Sequence, residues 1–124
     1  GMNLNELATA VTNQTPVVVF IMNNGVLGMV RQWQTLFFQK HYSNTTLNRK
    51  TDFVKLAEAM GAKAIRVTKK EEIDDAIKTA LSAEVPVVIE VVINQDDKVW
   101  PMVAPGAAIE DSFDEKDQEN RIQN

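Results

Sequence analysis

The chain has 124 residues, 44% of them hydrophobic, and a formal charge of -4, which allows one domain with its own core and argues against wholesale disorder. Six acids (Glu110, Asp111, Asp114, Glu115, Asp117, Glu119) against Lys116 and Arg121 place the excess charge in residues 110–124. The remaining body is neutral, without the basic stripe that tracking a phosphate backbone requires, so nucleic acid is set aside as a partner.

There is no cysteine, and His41 is the single histidine. A disulfide framework, a thiolate metal site and a multi-histidine zinc site are thereby excluded, and the composition fits a reducing compartment. The longest apolar run, residues 16–22, is too short to span a bilayer, so no membrane role is expected. Gly1 ahead of Met2 reads as a remnant of tag removal.

In chain order, Asn3 with Glu6 three residues on predicts a capped helix whose face is Leu4, Leu7, Ala8 and Val11. Residues 17–22 form an unbroken β-branched and aromatic run, the pattern of a strand covered on both faces in a parallel sheet. Residues 26–38 read as a helix with Met29, Trp33 and Phe37 on one stripe. Thr51 is the expected cap of a helix bearing Phe53, Leu56, Ala57 and Met60, closed by Gly61 in the left-handed conformation. Residues 64–67 form a brief strand. Thr68 and Glu71 suggest a capping box ahead of a helix with the stripe Ile73, Ala76, Ile77, Ala80 and Leu81. Pro86 opens a last strand, residues 87–93, in which the charge of Glu90 demands a sheet edge or a polar partner. Regular structure is expected to end near Asn94, with 110–124 a solvated, disordered acidic tail. Strands separated by helices predict an α/β fold, a three-layer parallel sheet with flanking helices.

In open parallel sheets ligands collect beyond the carboxyl ends of strands, and the first strand runs directly into Asn23, Asn24 and Gly25. Two explanations stand side by side. Asn-Asn-Gly is a common turn; equally, an amide oxygen and a backbone carbonyl two residues on are hard ligands of the kind magnesium uses when it bridges protein to phosphate. The Met29, Trp33 and Phe37 stripe reads, on its spacing, as core. Lys69 to Glu72 reads as a solvated charge cluster, and Glu90, Asp96 and Asp97 have no catalytic pairing on one element.

NNGVLGMVRQWQTLFF, HYSNT, DFVKLAEAMGAKAIRV and KVWPMVAPGAAI together resemble the C-terminal region of the acetolactate (acetohydroxyacid) synthase large subunits, through Ile109. The resemblance implies the thiamine-diphosphate-binding fold over residues 2–109, truncated at its N-terminal strand. It implies that Asn24 offers its side-chain oxygen and Val26 its carbonyl to a Mg2+ ion holding the diphosphate. Asn23 shapes the loop, and Leu27, Gly28 and Met29 lie along the cofactor, with Gly28 permitting close approach. Met29, Val30, Trp33 and Phe37 match a substrate channel, where Trp33 favours the larger second 2-ketoacid.

The family decarboxylates pyruvate on thiamine diphosphate and joins the remainder to a second pyruvate or to 2-ketobutyrate, in branched-chain amino acid biosynthesis. The resemblance also implies FAD bound outside this chain, a homodimer or tetramer of the intact subunit, a regulatory subunit, and a bacterial cytoplasmic or a plastid location. The Gly-Asp-Gly segment and the glutamate that the family mechanism needs are not in this sequence, so the chain alone is expected to be inactive. The competing readings are a non-catalytic binding or assembly domain of the same fold, and another thiamine-diphosphate enzyme such as a glyoxylate carboligase.

Overall fold

Strand β1 (Val18–Asn23), strand β2 (Lys63–Val67) and strand β3 (Val87–Val92) form a parallel sheet in the order β1-β3-β2 in a computed structural model that describes residues 3–122. Around it lie α1 (Leu4–Thr12), α2 (Gly28–Phe37), α3 (Phe53–Ala59), α4 (Ile73–Leu81) and α5 (Glu115–Ile122), with short 3-10 turns at Lys70–Glu72 and Ile109–Asp111.

The central strand explains the apolar run that encodes it. Successive side chains of β3 point to opposite faces. On one face Val87 and Ile89 join Val67, Ala76 and Ala80 beneath α4; on the other Val88 joins Ala57 and Ala62 with Leu7, Val11 and Ile21 beneath α1 and α3. Helices on both faces give the three layers expected. Burying a side chain such as Ile89 contributes about 1.5–3 kcal/mol, so this strand anchors both layers.

The outer strand behaves differently from its pattern. Residues 17–22 read as covered on both faces, yet Val19 is 40%, Phe20 50% and Met22 59% exposed. The cause is position: α3 packs over β2 and β3, and α4 over β2, while β1 pairs with β3 alone among the described residues. An apolar groove of about 810 Å³, lined in part by Leu7, Val19, Ile21 and Phe53, opens between α1, β1 and α3.

Several local expectations shift by a residue. Asn3 makes no side-chain cap bond to α1. Asp52, not Thr51, caps α3, its carboxylate accepting from the N–H groups of Val54 and Lys55. Glu72, not Glu71, accepts from the N–H groups of Thr68 and Lys69, because the intervening 3-10 turn advances the chain before α4 begins. Leu81 is 77% exposed rather than part of the buried stripe, being the last residue of α4 and turned from the sheet. Gly61 has φ +87°, as its place after α3 requires.

Regular structure does not end at Asn94. Met102 and Phe113 form an antiparallel bridge, each donating its N–H to the other's carbonyl at 2.8 Å. Phe113 is buried and meets Trp100 and Phe37 edge to face, with ring centroids 5.8 and 6.5 Å away. The acids around it, Asp111, Asp114, Glu115 and Asp117, remain exposed. The acids from 110 to 117 are thus solvated as their charge requires, while Phe113 ties this stretch down through its backbone bridge and buried ring; the expectation for 119–124 lies outside the residues whose side chains are described.

Candidate functional site

Asn23 is the last residue of β1, and the loop that follows is closed by its own polar groups. The Gly25 N–H donates to Asn23 Oδ1 and the Val26 N–H to Asn24 Oδ1, both at 3.2 Å. Gly25 sits at φ +69°, a backbone conformation glycine adopts without steric cost. The turn reading of Asn-Asn-Gly therefore holds at the level of backbone geometry.

A segment that carries no signal for this place in its own residues pins the loop. The Leu27 N–H donates to the Thr45 carbonyl and the Leu47 N–H to the Gly25 carbonyl, at 2.8 and 2.9 Å, bridging Val26 to Thr46. Val26 and Thr45 are buried as a result. No donor among the described residues reaches the Val26 carbonyl. This leaves that carbonyl without a protein donor in the same loop as the Asn24 amide oxygen, and both are hard oxygens of the kind a magnesium ion takes. No group of three or more carboxylate, histidine or cysteine side chains gathers among the described residues, so these two oxygens would supply only part of a coordination shell.

Gly28 opens α2, and the group crowding it belongs to the protein itself. A Cβ at this position would stand 2.6 Å from Asn24 Nδ2. The missing side chain thus admits the Asn24 amide over the first turn of α2. Leu27, Met29 and Val30, at 40%, 50% and 48% exposure, form an apolar surface beside it.

The predicted channel stripe divides in two. Met29 stands in the open, whereas Trp33 and Phe37 are half-buried and meet edge to face with centroids 5.5 Å apart, continuing to Phe113 and Trp100. The end of the helix is thus packed as core, while its start is exposed to solvent.

Behind the loop lies a charged relay absent from the sequence expectations. Glu90 is 3% exposed in the central strand. Its Oε1 accepts from Asn23 Nδ2 and its Oε2 from Arg66 Nε, both at 2.7 Å. Arg66 also donates to Asp52 Oδ1 at 2.7 Å. The backbone N–H of Lys55 and the Arg66 guanidinium hold the Asp52 carboxyl below the usual carboxylate range, and Glu90 and Asp52 raise the Arg66 pKa further. Of the two explanations for a charge in this strand, the polar partner is the one realised; Glu90 is not at a sheet edge. The sequence signal was the single acid in an apolar strand, but its partners lie 67 and 24 residues away.

A second set of contacts fastens the segment after β3 onto α2. Gln32 is buried, donating to the Val99 carbonyl and accepting from the Val99 N–H, each at 2.8 Å. Arg31 lies 4.0 Å over the Tyr42 ring and pairs with Asp96 at 2.7 Å, which lowers the Asp96 pKa. Asp97 accepts from the Asn94 N–H. These acids have structural partners.

Among the described residues no helix is long and apolar enough to cross a membrane. The family described as "Thiamine pyrophosphate enzyme, C-terminal TPP binding domain" matches residues 1–91. The chain is 43% identical over 107 residues to the acetolactate synthase isozyme 2 large subunit of Escherichia coli, covering 86% of this chain and 20% of that protein. It is 47% identical over 115 residues to the acetolactate synthase large subunit of Corynebacterium glutamicum, covering 89% and 18%. To the mitochondrial acetolactate synthase catalytic subunit of Saccharomyces cerevisiae it is 47% identical over 112 residues, covering 90% and 16%. The chain thus spans about a fifth or less of these relatives. Its structure is similar to that of the Rhodococcus jostii thiamine diphosphate-dependent 4-hydroxybenzoylformate decarboxylase, with TM-score 0.66 and 33% identity over 73% of this chain and 17% of that one. With the parallel three-layer sheet and the loop beyond β1 already described, these matches establish that the chain belongs to the C-terminal thiamine-pyrophosphate-binding domain family of thiamine pyrophosphate enzymes.

Proposed function

We propose that this chain is the diphosphate-holding part of an acetolactate synthase catalytic subunit. In the intact protein a 2-ketoacid such as pyruvate is decarboxylated and the remainder joined to pyruvate or 2-ketobutyrate, a step of branched-chain amino acid biosynthesis. The observation that carries the site is the loop beyond the carboxyl end of β1, in which Asn24 Oδ1 accepts from the Val26 N–H and no donor among the described residues reaches the Val26 carbonyl. The identity to three acetolactate synthases over 86 to 90% of the chain supports the reaction class.

Asn24 Oδ1 and the Val26 carbonyl would hold Mg2+, and through it the diphosphate, while Asn23 shapes the loop. Thiamine diphosphate, when bound, supplies the electron sink that decarboxylation needs. Gly28 keeps the Asn24 amide over the first turn of α2. Leu27 and Met29 offer apolar surface to the cofactor, and Met29, Val30, Trp33 and Phe37 border the approach of the second ketoacid, Trp33 governing its size. FAD bound outside this chain, a homodimer or tetramer of the intact subunit, a regulatory subunit, and a bacterial cytoplasmic or a plastid location go with that assignment. The chain alone is inactive on this reading.

Calorimetric titration with thiamine diphosphate tests the site. Binding that requires magnesium and is lost in Asn24→Ala supports it. Binding unaffected by magnesium or by Asn24→Ala overturns the assigned ligands.

A further inference from the structure

Glu90 accepts a hydrogen bond from Asn23 across 67 residues of sequence while a full ion pair with Arg66 already satisfies its other oxygen. We infer that Glu90 is a positioning residue for the Asn23-Asn24-Gly25 loop: it fixes which way round the Asn23 amide lies, and so whether the loop closes. The inference rests on the cofactor reading of that loop.

Donors and acceptors decide the orientation. A carboxylate only accepts, whereas an amide has one accepting and one donating end. Facing Glu90 Oε1 at 2.7 Å, Asn23 must present Nδ2, because the flipped amide would set oxygen against oxygen at that distance. The Asn23 oxygen is thereby turned to the Gly25 N–H, which it accepts at 3.2 Å. Gly25 in turn accepts from Leu47 and precedes Val26, whose carbonyl is the proposed ligand. Arg66 holds the carboxylate from the far side and is itself tied to Asp52, the cap of α3. A buried acid needed only for the ion pair would be complete without Asn23. The second bond directs one side chain of the loop.

Replacing the acid by its amide isostere separates these roles. In Glu90→Gln the one remaining oxygen faces Arg66, which can only donate, so the new Nε2 faces Asn23. Asn23 must then flip, and the Gly25 N–H loses its acceptor. Reversing the partner as well, in Asn23→Asp with Glu90→Gln, restores an acceptor toward both the new side-chain amide in β3 and the Gly25 N–H.

The test uses the 124-residue chain, with amide exchange read by NMR and magnesium-dependent thiamine diphosphate affinity by calorimetry. Glu90→Gln is expected to speed exchange at Gly25 and weaken cofactor binding about tenfold, the worth of one hydrogen bond. The double variant Asn23→Asp with Glu90→Gln regains the Gly25 protection. Asn23→Ala with Glu90→Gln binds no worse than Asn23→Ala alone. If Glu90→Gln lowers the melting temperature but leaves Gly25 exchange and affinity unchanged, Glu90 is an ion-pair residue only and the inference falls. Should that variant not fold, the unsubstituted chain decides: coupling across the hydrogen bond from Asn23 Nδ2 to Glu90 Cδ is expected, and its absence overturns the inference. If the unsubstituted chain binds no cofactor, the cofactor reading fails, while Gly25 exchange and that coupling still judge the orientation of Asn23.

Discussion

Asn24 and Gly28 fit each other by what Gly28 lacks: a Cβ there would come within 2.6 Å of Asn24 Nδ2. The contacted atom is the far end of a side chain, so Gly28→Ala displaces the amide without moving backbone. Alanine is better than glycine in a helix by up to about 1 kcal/mol. Gly28→Ala is therefore expected to melt no lower than the parent while weakening magnesium-dependent cofactor binding about tenfold, the effect of one misdirected ligand. Thermal melting and calorimetry on one sample decide it. A lower melting temperature with unchanged affinity would remove Asn24 from the site.

Gln32 reaches across 67 residues to pair with both polar groups of Val99. Gln32→Leu keeps bulk on α2 but cannot bond, and loses about 1–3 kcal/mol for the two bonds together. The segment from 94 to 101 should then open to protease while the sheet remains intact. Limited proteolysis with mass spectrometry checks this, and equal cleavage rates in variant and parent would show that the clamp contributes nothing.

How much of this could be read in advance follows from the range of each interaction. The central strand, the α4 stripe through Ala76 and Ala80, and the loop beyond β1 are written in neighbouring residues, and each occurs where its pattern places it. Thr51 and Glu71 were each one residue off because several polar residues in a row satisfy the same capping rule; Asp52 and Glu72 win by geometry. The exposure of Phe20 and Met22 was illegible, since an apolar strand reads alike whether or not a helix covers it. At the candidate site, Asn23, Asn24 and Gly25 were visible as a polar loop at a strand end, whereas Gly28 was named only through the family resemblance. The relay from Asn23 through Glu90 and Arg66 to Asp52 was not, because it joins four separate segments.

Phe113 carries the placement of the acidic segment. It is 4% exposed and packs edge to face on Trp100 and Phe37. Phe113→Ala is expected to cost about 3–5 kcal/mol and to shift the tryptophan emission toward that of exposed indole. A variant with unchanged melting and fluorescence would mean that this segment is not held as described.

Acid should unfold the chain in a defined window. Glu72, Asp52 and Asp96 are held below their ordinary values, Glu72 first by the Thr68 N–H, Asp52 first by the Lys55 N–H and Asp96 first by Arg31. In such groups the unfolded state binds protons more readily than the folded one, so stability rises with pH through the window between the two values. The contribution is complete above the unfolded carboxyl range of about 4 and is lost as pH falls through the depressed folded values. Melting temperature should be flat above pH about 5 and drop below about 4. Glu72→Gln should melt lower near neutral pH and show a shallower acid loss; an unchanged acid slope would separate Glu72 from the effect.

The outer edge of β1 is open. Val19, Phe20 and Met22 are 40 to 59% exposed, and among the described residues β1 has a paired strand on one side only. An unpaired strand edge beside exposed apolar side chains invites association of copies of the chain. Sedimentation velocity should therefore show species larger than a monomer that grow with concentration. Phe20→Lys places a charge on that strand where half the side chain already meets solvent, so it should suppress association with little change in melting. If the unsubstituted chain sediments as a monomer at high concentration, the exposed strand does not drive assembly; if Phe20→Lys associates like the parent, the contact lies elsewhere.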